Sequence, residues 1–206
     1  KKYLVAVSGG PDSLALVALN KAYNYRKKIQ FHYVLVDHNI RTNSRQEAKK
    51  VKKILKKKQI NLRILLNKKK ITRNIQAEAR DSRYQILVNY CKKNNIKIIL
   101  TAHNLEDQVE TFFIRLSRGS GLKGLSAMKP LSVINNHVKL YRPLLDTEKK
   151  FLIKISKKTF GKFIKDPSNN NFKFLRTKIR NLKKTLENSR IKYERIFKSI
   201  QNLSIS

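Results

Sequence analysis

The sequence predicts an α/β fold: a parallel sheet with helices on both faces, followed by a helical appendage towards the C-terminus. Three observations predict it. Short apolar runs alternate with stretches of helical periodicity as far as residue 117, the strand–helix rhythm of a covered parallel sheet. Three of the runs end in polar residues, where open parallel sheets hold their ligands. A hydrophobic content of 40% over 206 residues suffices for one core, with at most a small second unit.

Residues 3–7 (Tyr-Leu-Val-Ala-Val) are too short an apolar run for a helix and are bounded by turn residues, which makes them a buried strand. A loop, Ser8-Gly9-Gly10-Pro11-Asp12-Ser13, leads to a helix over 14–19. Residues 31–36 form the second strand, ending at Asp37-His38. Residues 45–58 form a basic helix with Ala48, Val51 and Leu55 as its apolar stripe. Its lysines, from Lys49 to Lys58, read as a solvated face with at most a weak attraction for RNA. A third strand covers 62–66 and a long helix 75–94, on which Tyr84, Leu87, Val88 and Cys91 share one stripe. A fourth strand, 97–101, ends at Ala102-His103. The helix over 105–117 turns Leu105, Val109, Phe112, Phe113 and Leu116 to the core. After Arg118 the rhythm breaks: Gly119, Gly121 and Gly124 mark a loop, and 131–145 reads as a hairpin around Asn135-Asn136. Residues 147–158 and 175–203 read as helical, and Lys165-Asp166-Pro167-Ser168-Asn169 between them is turn chemistry.

The 8–13 loop has the composition of an anion site. Glycines let the backbone turn tightly and approach a ligand, and free N–H groups at a helix start favour phosphate. Ser8 and Ser13 add hydroxyls, and Asp12 adds a carboxylate suited to Mg²⁺. The chain has neither Gly-x-x-x-x-Gly-Lys-Ser/Thr nor Gly-x-Gly-x-x-Gly, which excludes a Walker-type loop and a dinucleotide fingerprint. Asn104 is placed to cap its helix with Asp107 three residues on, yet Asp107 and Glu110 also lie on the side of His103, away from the apolar stripe. Acids clustered at a strand end in so basic a chain suit a cationic substrate or a metal. Arg80 and Arg83 sit early on the 75–94 helix, and Arg176 and Arg180 share a helix face four residues apart. The forked, permanent charge of arginine suits phosphate.

Lys and Arg number 48 against 13 Asp and Glu, a net charge of +35. Such a field draws polyanions, although heavy use of Lys, Asn and Ile also fits A+T-rich coding, which needs no partner. Cys91, the one cysteine, excludes an internal disulfide and any Cys-x-x-Cys site, and it reads as a core residue. No run approaches ~18 apolar residues, so no membrane span is expected, and no apolar signal segment opens the chain, which also starts without Met.

The loop resembles that of the PP-loop ATP pyrophosphatases, which cut ATP between the α and β phosphates. Further segments together resemble one family within them, the bacterial-type tRNA(Ile)-lysidine synthetases. These segments are Val36-Asp37-His38-Asn39-Ile40-Arg41 with Ser44 and Glu47; residues 76–84 (Gln-Ala-Glu-Ala-Arg-Asp-Ser-Arg-Tyr); residues 102–111; residues 115–122 through Met128; Arg142-Pro143-Leu144-Leu145; and Asp166-Pro167-Ser168-Asn169 with Phe174, Arg176 and Arg180. The resemblance implies a Rossmann-like sheet of the PP-loop type, with residues 1–145 as the catalytic domain and 146–206 as a helical segment completing it and contacting tRNA. It implies ATP-dependent attachment of free L-lysine to C2 of the wobble cytidine of a CAU-anticodon tRNA(Ile), with AMP and pyrophosphate released and Mg²⁺ at Asp12. The implied catalytic residues are Asp12, Asp37, His103, Asp107 and Arg176. ATP would lie on Ser8, Gly9, Gly10, Pro11, Asp12, Ser13, Asp37 and His38; lysine on Asp107 and Glu110; tRNA on Arg80, Arg83, Arg115, Arg176 and Arg180. The expected location is the cytoplasm, or an organelle matrix or stroma, without a membrane; monomer and homodimer stay open. Three departures stand out. Asn39 replaces a usual glycine in a turn that Asn tolerates, Glu106 replaces a usual aspartate, and a short form lacking most of the family's C-terminal extension is expected.

Overall fold

The computed structural model describes residues 1–25, 27–40, 42–69, 71, 75–164 and 174–205. Its elements run β1 (Lys2–Ala6), α1 (Pro11–Asn24), β2 (Gln30–Asp37), α2 (Ser44–Lys56), β3 (Leu62–Leu66), α3 (Ile75–Lys93), β4 (Ile98–Leu100), α4 (Leu105–Leu116), α5 (Leu122–Leu125), β5 (Leu131–Val133), β6 (Lys139–Tyr141), α6 (Lys149–Phe160), α7 (Leu175–Asn181), α8 (Lys183–Asn188) and α9 (Tyr193–Ile205). Arg41 and the expected Asp166-Pro167-Ser168-Asn169 turn lie outside the described residues. The chain divides into two compact units: Lys1–Ala102, Leu131–Tyr141 and Leu152–Ile164 form the first, and His103–Pro130, Arg142–Phe151 and Lys165–Ser206 the second.

The first unit carries a six-stranded sheet in the order β3-β2-β1-β4-β6-β5. All neighbouring pairs are parallel except β5–β6, the expected hairpin, whose turn is held by Asn135 Oδ1 accepting from His137 and Val138 N–H. Alternation along the strands sorts the core. Leu4, Val34, Ile99 and Leu140 pack with Leu87, Val88 and Cys91 of α3, while Val5, Val7 and Leu35, on the other side of the pleat, are buried as well. Apolar residues on both faces are what a sheet covered by helices requires. On α2, Ala48, Val51 and Leu55 are buried as expected, and Ile54 joins them. Cys91 is 0% exposed, and burial pushes its thiol up to about 12, so it is an inert core residue.

β1 has β2 on one side and β4 on the other, so the chain reverses its direction of travel across the sheet at this strand. In open α/β sheets such a point opens the ligand crevice at the carboxyl edge. The 8–13 loop leaves β1 at that edge.

The second unit packs Leu105 and Val109 of α4 with Tyr193 and Ile200 of α9 and with Ala127; Phe112, Phe113, Ile196 and Phe197 lie at its margin. Leu116, expected in this stripe, is 49% exposed: it is the last residue of α4, and the packed face ends a turn earlier. The single helical stretch expected over 175–203 is three helices. Asn188 and Ser189, both poor helix formers, precede Arg190 at φ +62°, and Ile191 N–H closes on the Leu186 carbonyl at 2.8 Å, a left-handed helix stop.

Candidate active site

The first unit builds a loop around the hydroxyl of Ser13. Ser13 is buried in the first turn of α1. Its Oγ accepts from Ser8 N–H (3.2 Å), Gly9 N–H (3.1 Å) and Ser8 Oγ (3.1 Å), and donates to the Gly10 carbonyl (3.0 Å). The sequence reading made Ser13 a donor to phosphate; here its one proton is spent inside the loop, and its work is to fold the loop back on the helix start. Pro11 takes the first helical position, where no N–H is needed. Gly10 is the N-cap and no side chain caps the helix, which leaves the N–H groups of its first turn to a ligand.

The two glycines differ in kind. Gly9 has φ +84°, and a Cβ there would press into Val51 Cγ2 of α2, so the fold itself demands glycine. A Cβ on Gly10 would meet nothing nearer than Ser8 Oγ at 3.7 Å, an ordinary contact. Gly10 is therefore not required by the protein's own packing.

Asp37 ends β2, 3% exposed. Its Oδ1 accepts from Asn39 N–H at 3.0 Å, and its Oδ2 is buried without a hydrogen-bond partner among the described residues. Asn39 adopts φ +52°, so asparagine does support the left-handed turn. His38 Nε2 accepts from Arg83 Nε at 3.3 Å, which assigns the ring proton to Nδ1. Burial, then the Arg83 charge, lower the ring's pKa to about 4 against the opposing pull of Asp37, so the imidazole is neutral at pH 7. Arg83 donates to His38 within the unit, and Arg80 stacks over the Tyr84 ring with its guanidinium carbon 5.3 Å from the centroid. The sequence reading missed Asn67. It is buried just past β3, and its N–H donates to the Asp37 carbonyl at 2.8 Å; an asparagine directly after an apolar strand was the available signal.

The second unit begins at His103, which is partly buried. Asn104 and Asp107 form a reciprocal capping box on α4: Asn104 Oδ1 accepts from Asp107 N–H at 3.0 Å, and Asp107 Oδ2 from Asn104 N–H at 3.2 Å. Glu106 Oε2 accepts from Lys149 N–H at 2.9 Å and Oε1 from Lys183 Nζ at 3.2 Å, which gives it a structural post.

Glu110 is the centre of this unit's charge network. It is 2% exposed and accepts from Arg180 through Nε (2.7 Å) and Nη2 (3.0 Å), with Arg176 Nε at 3.3 Å. Burial pushes its carboxyl up, and the Arg180 hydrogen bonds pull the other way. Arg176 Nη2 also donates to Thr111 Oγ1 at 3.1 Å. The shared face of Arg176 and Arg180 is real, and both converge on Glu110. Arg115 donates through Nη1 to the Gly124 and Ala127 carbonyls, which makes it a clamp on the end of α5. Lys183 and Tyr193 were missed. Lys183 Nζ lies 4.8 Å from the centroid of the Tyr193 ring, and burial, then Glu110, push that phenol up to about 12. The 193, 196, 197, 200 spacing on α9 was the signal for Tyr193.

Among the described residues no three or more His, Cys, Asp and Glu gather as a metal cage, and no helix is long and apolar enough to cross a membrane.

Comparison with known proteins bears on this geometry. The family described as a PP-loop domain matches residues 1–186. The tRNA(Ile)-lysidine synthase of Orientia tsutsugamushi (strain Boryong) is 43% identical over 188 residues, covering 90% of this chain and 42% of that protein. The protein of the same name from Wolbachia pipientis wMel is 41% identical over 195 residues, 93% of this chain and 45% of that one. That from Zymomonas mobilis is 38% identical over 184 residues, 87% and 55%. The chain thus spans about half the length of these relatives. Among solved structures, the U34-tRNA thiolase NcsA from Methanococcus maripaludis, with its [4Fe-4S] cluster, superposes with a TM-score of 0.79 over 98% of this chain and 71% of that one, at 19% identity. That likeness is one of fold.

Proposed function

We propose, from the premise that this chain belongs to the PP-loop domain family, that it is the catalytic part of a tRNA-modifying ligase that attaches free L-lysine to a wobble cytidine. The observation that carries the reading is the loop folded on Ser13 ahead of an uncapped helix start, a cradle for pyrophosphate. In this reading the C2 oxygen of the cytidine in a CAU-anticodon tRNA(Ile) attacks the α-phosphorus of ATP. The bond to the bridging oxygen breaks, and pyrophosphate leaves against the N–H groups of α1. The ε-amine of lysine then attacks C2, the C2–O bond breaks, and AMP departs with the oxygen. The product, lysidine, pairs with A in place of G.

Ser8, Gly9, Gly10, Pro11, Asp12 and Ser13 form the loop that holds the phosphates, Ser13 by keeping it folded, and Asp37 and His38 hold the nucleoside end of ATP. Mg²⁺ is commonly held by one or two carboxylates together with phosphate oxygens and water; Asp12, in the first turn of α1, is the residue that would hold it, and the ion would neutralise the leaving pyrophosphate. Asp107 is the acceptor for the lysine ammonium. Its carboxylate carries one backbone donor, whereas Glu110 is already met by Arg176 and Arg180. His103 takes the amine proton as the C–N bond forms. Arg176 and Arg180 hold Glu110 and, with Arg80, Arg83 and Arg115, are the candidates for contact with tRNA. Residues 1–145 carry the chemistry, and 146–206 complete the unit.

A sulfur-transferring reading is disfavoured because the sole cysteine, Cys91, is buried in the core. The test is ATP cleavage and labelled-lysine incorporation. AMP and pyrophosphate are expected only when lysine and CAU-anticodon tRNA are both present. Turnover that ignores lysine and responds to ammonia would overturn the assignment.

A further inference from the structure

We infer that the outer face of α2 is a docking surface for the RNA backbone, set on the helix that backs the phosphate loop. The sequence alone assigned these lysines to a solvated face with at most a weak attraction for RNA. Arg45, Lys49, Lys52, Lys53 and Lys56 stand at i, i+4, i+7, i+8 and i+11, which is one stripe of an α-helix, and all five are exposed. Eleven residues at the helical rise make the stripe about 16 Å long, long enough to follow several phosphates. None of the five makes an ion pair among the described residues. Glu47, the only acid on the helix, lies on the opposite side from Arg45. Like charges at i+3 and i+4 repel, so the stripe is poised for an anion that the described residues do not supply.

Position separates α2 from an ordinary solvated face. Val51, on its buried side, is the residue against which Gly9 of the phosphate loop is seated. The first unit therefore presents the stripe and the loop from a single packed corner, and RNA lying along the stripe is held beside the ATP site. A row of cations, lysine at four of the five positions, with no apolar side chain among them fits a phosphate backbone. The inference rests on the reading of the chain as a tRNA-modifying enzyme.

The test compares four proteins for binding a CAU-anticodon tRNA(Ile) transcript across a salt series: wild type; Lys49→Gln/Lys52→Gln/Lys53→Gln/Lys56→Gln; the same four lysines replaced with arginine; and a control, Lys154→Gln/Lys157→Gln/Lys158→Gln/Lys162→Gln. The control removes the same charge from exposed lysines of α6 and the loop after it. Labelled-lysine incorporation by the wild type is measured alongside. The α2 variant is expected to flatten the plot of log K against log salt by about 3 and to bind at least about tenfold more weakly at about 0.1 M salt, with a slope change below about 1 in the control. Replacing the four α2 lysines with arginine, which keeps the charge, is expected to keep the binding, so loss through misfolding is told apart. Equal losses in the α2 variant and the control would make the attraction a diffuse field and overturn the inference. So would a variant that binds tRNA as the wild type does yet no longer binds phosphatidylserine vesicles, which would make the face a membrane contact. In both cases lysine incorporation by the wild type would leave the functional reading intact. A wild type that neither binds nor modifies tRNA would remove that reading and this inference together.

Discussion

Substituting Gly9 by alanine tests the account of the phosphate loop most directly. Two costs are readable. A non-glycine residue at φ +84° meets the left-handed penalty, about 1–2 kcal/mol. The new Cβ is also driven into Val51 Cγ2, and Val51 is a buried, β-branched side chain with restricted χ1 freedom; overpacking of this kind costs about 1–3 kcal/mol. Together Gly9→Ala is expected to destabilise the protein by about 2–5 kcal/mol, a large share of a typical total of about 5–15, and to weaken ATP binding. Val51→Ala removes the clashing methyl group and leaves Ile164 Cγ1, 3.5 Å away, as the nearest neighbour of the new Cβ. The double variant should therefore be more stable than the sum of the single effects predicts, by about 1–3 kcal/mol. Urea denaturation of the two single variants and the double variant measures this, with the KM for ATP as a second readout. Strict additivity, or a Gly9→Ala protein within about 0.5 kcal/mol of wild type, would refute the reasoning. Gly10→Ala is the internal contrast: its Cβ meets only ordinary contacts, so stability should hold within about 0.5 kcal/mol while the KM for ATP rises.

Glu110→Gln leaves two partly exposed guanidiniums without their buried counter-charge, and a loss of about 1–3 kcal/mol is expected after allowing for their solvent screening. A melting temperature unchanged from wild type would show the pair to be energetically idle. Asp107→Ala should raise the KM for lysine far more than that for ATP, and equal effects would return Asp107 to helix capping alone. His38 makes stability depend on pH. Its folded pKa of about 4 lies below the ordinary 6.5, so the unfolded chain binds more protons between these values, and stability falls as pH drops through that window. The loss is about 1–2 kcal/mol once discounted for the partly exposed ring. Denaturation midpoints at pH 7 and pH 4 should differ less in His38→Gln than in wild type; an equal drop would place the acid sensitivity elsewhere.

What was legible in the sequence was what is local. The β1 run, the Ser-Gly-Gly-Pro-Asp-Ser loop, the stripes of α2 and α3 and the Asn104–Asp107 box all depend on spacings of a few residues, and they appear where the spacing puts them. What was not legible depends on partners far along the chain. Glu110 was paired with a ligand by its position near Asp107, but the arginine that fills its oxygens comes 70 residues later. Arg115 looked available until the Gly124 and Ala127 carbonyls, nine and twelve residues on, were folded under it. Ser13 was identified as part of the loop; that its hydroxyl is consumed there is a matter of one torsion and one proton, which composition does not encode. The break between α8 and α9 turned on a single left-handed residue, Arg190, in a run whose apolar periodicity continues on either side.

The interleaving of the two units has a consequence for how the chain is made. Each unit draws on three separate stretches, and the last stretch of the sheet-bearing unit, Leu152–Ile164, follows two stretches of the other. On a ribosome, β1 through β4 emerge early, but β6, which pairs with β4, arrives only after the first stretch of the second unit has appeared. Until then β4 presents an unpaired edge, the kind of surface that recruits other chains. Neither unit can finish alone, so nascent chains stalled between residues 102 and 139 should be the species most in need of a chaperone.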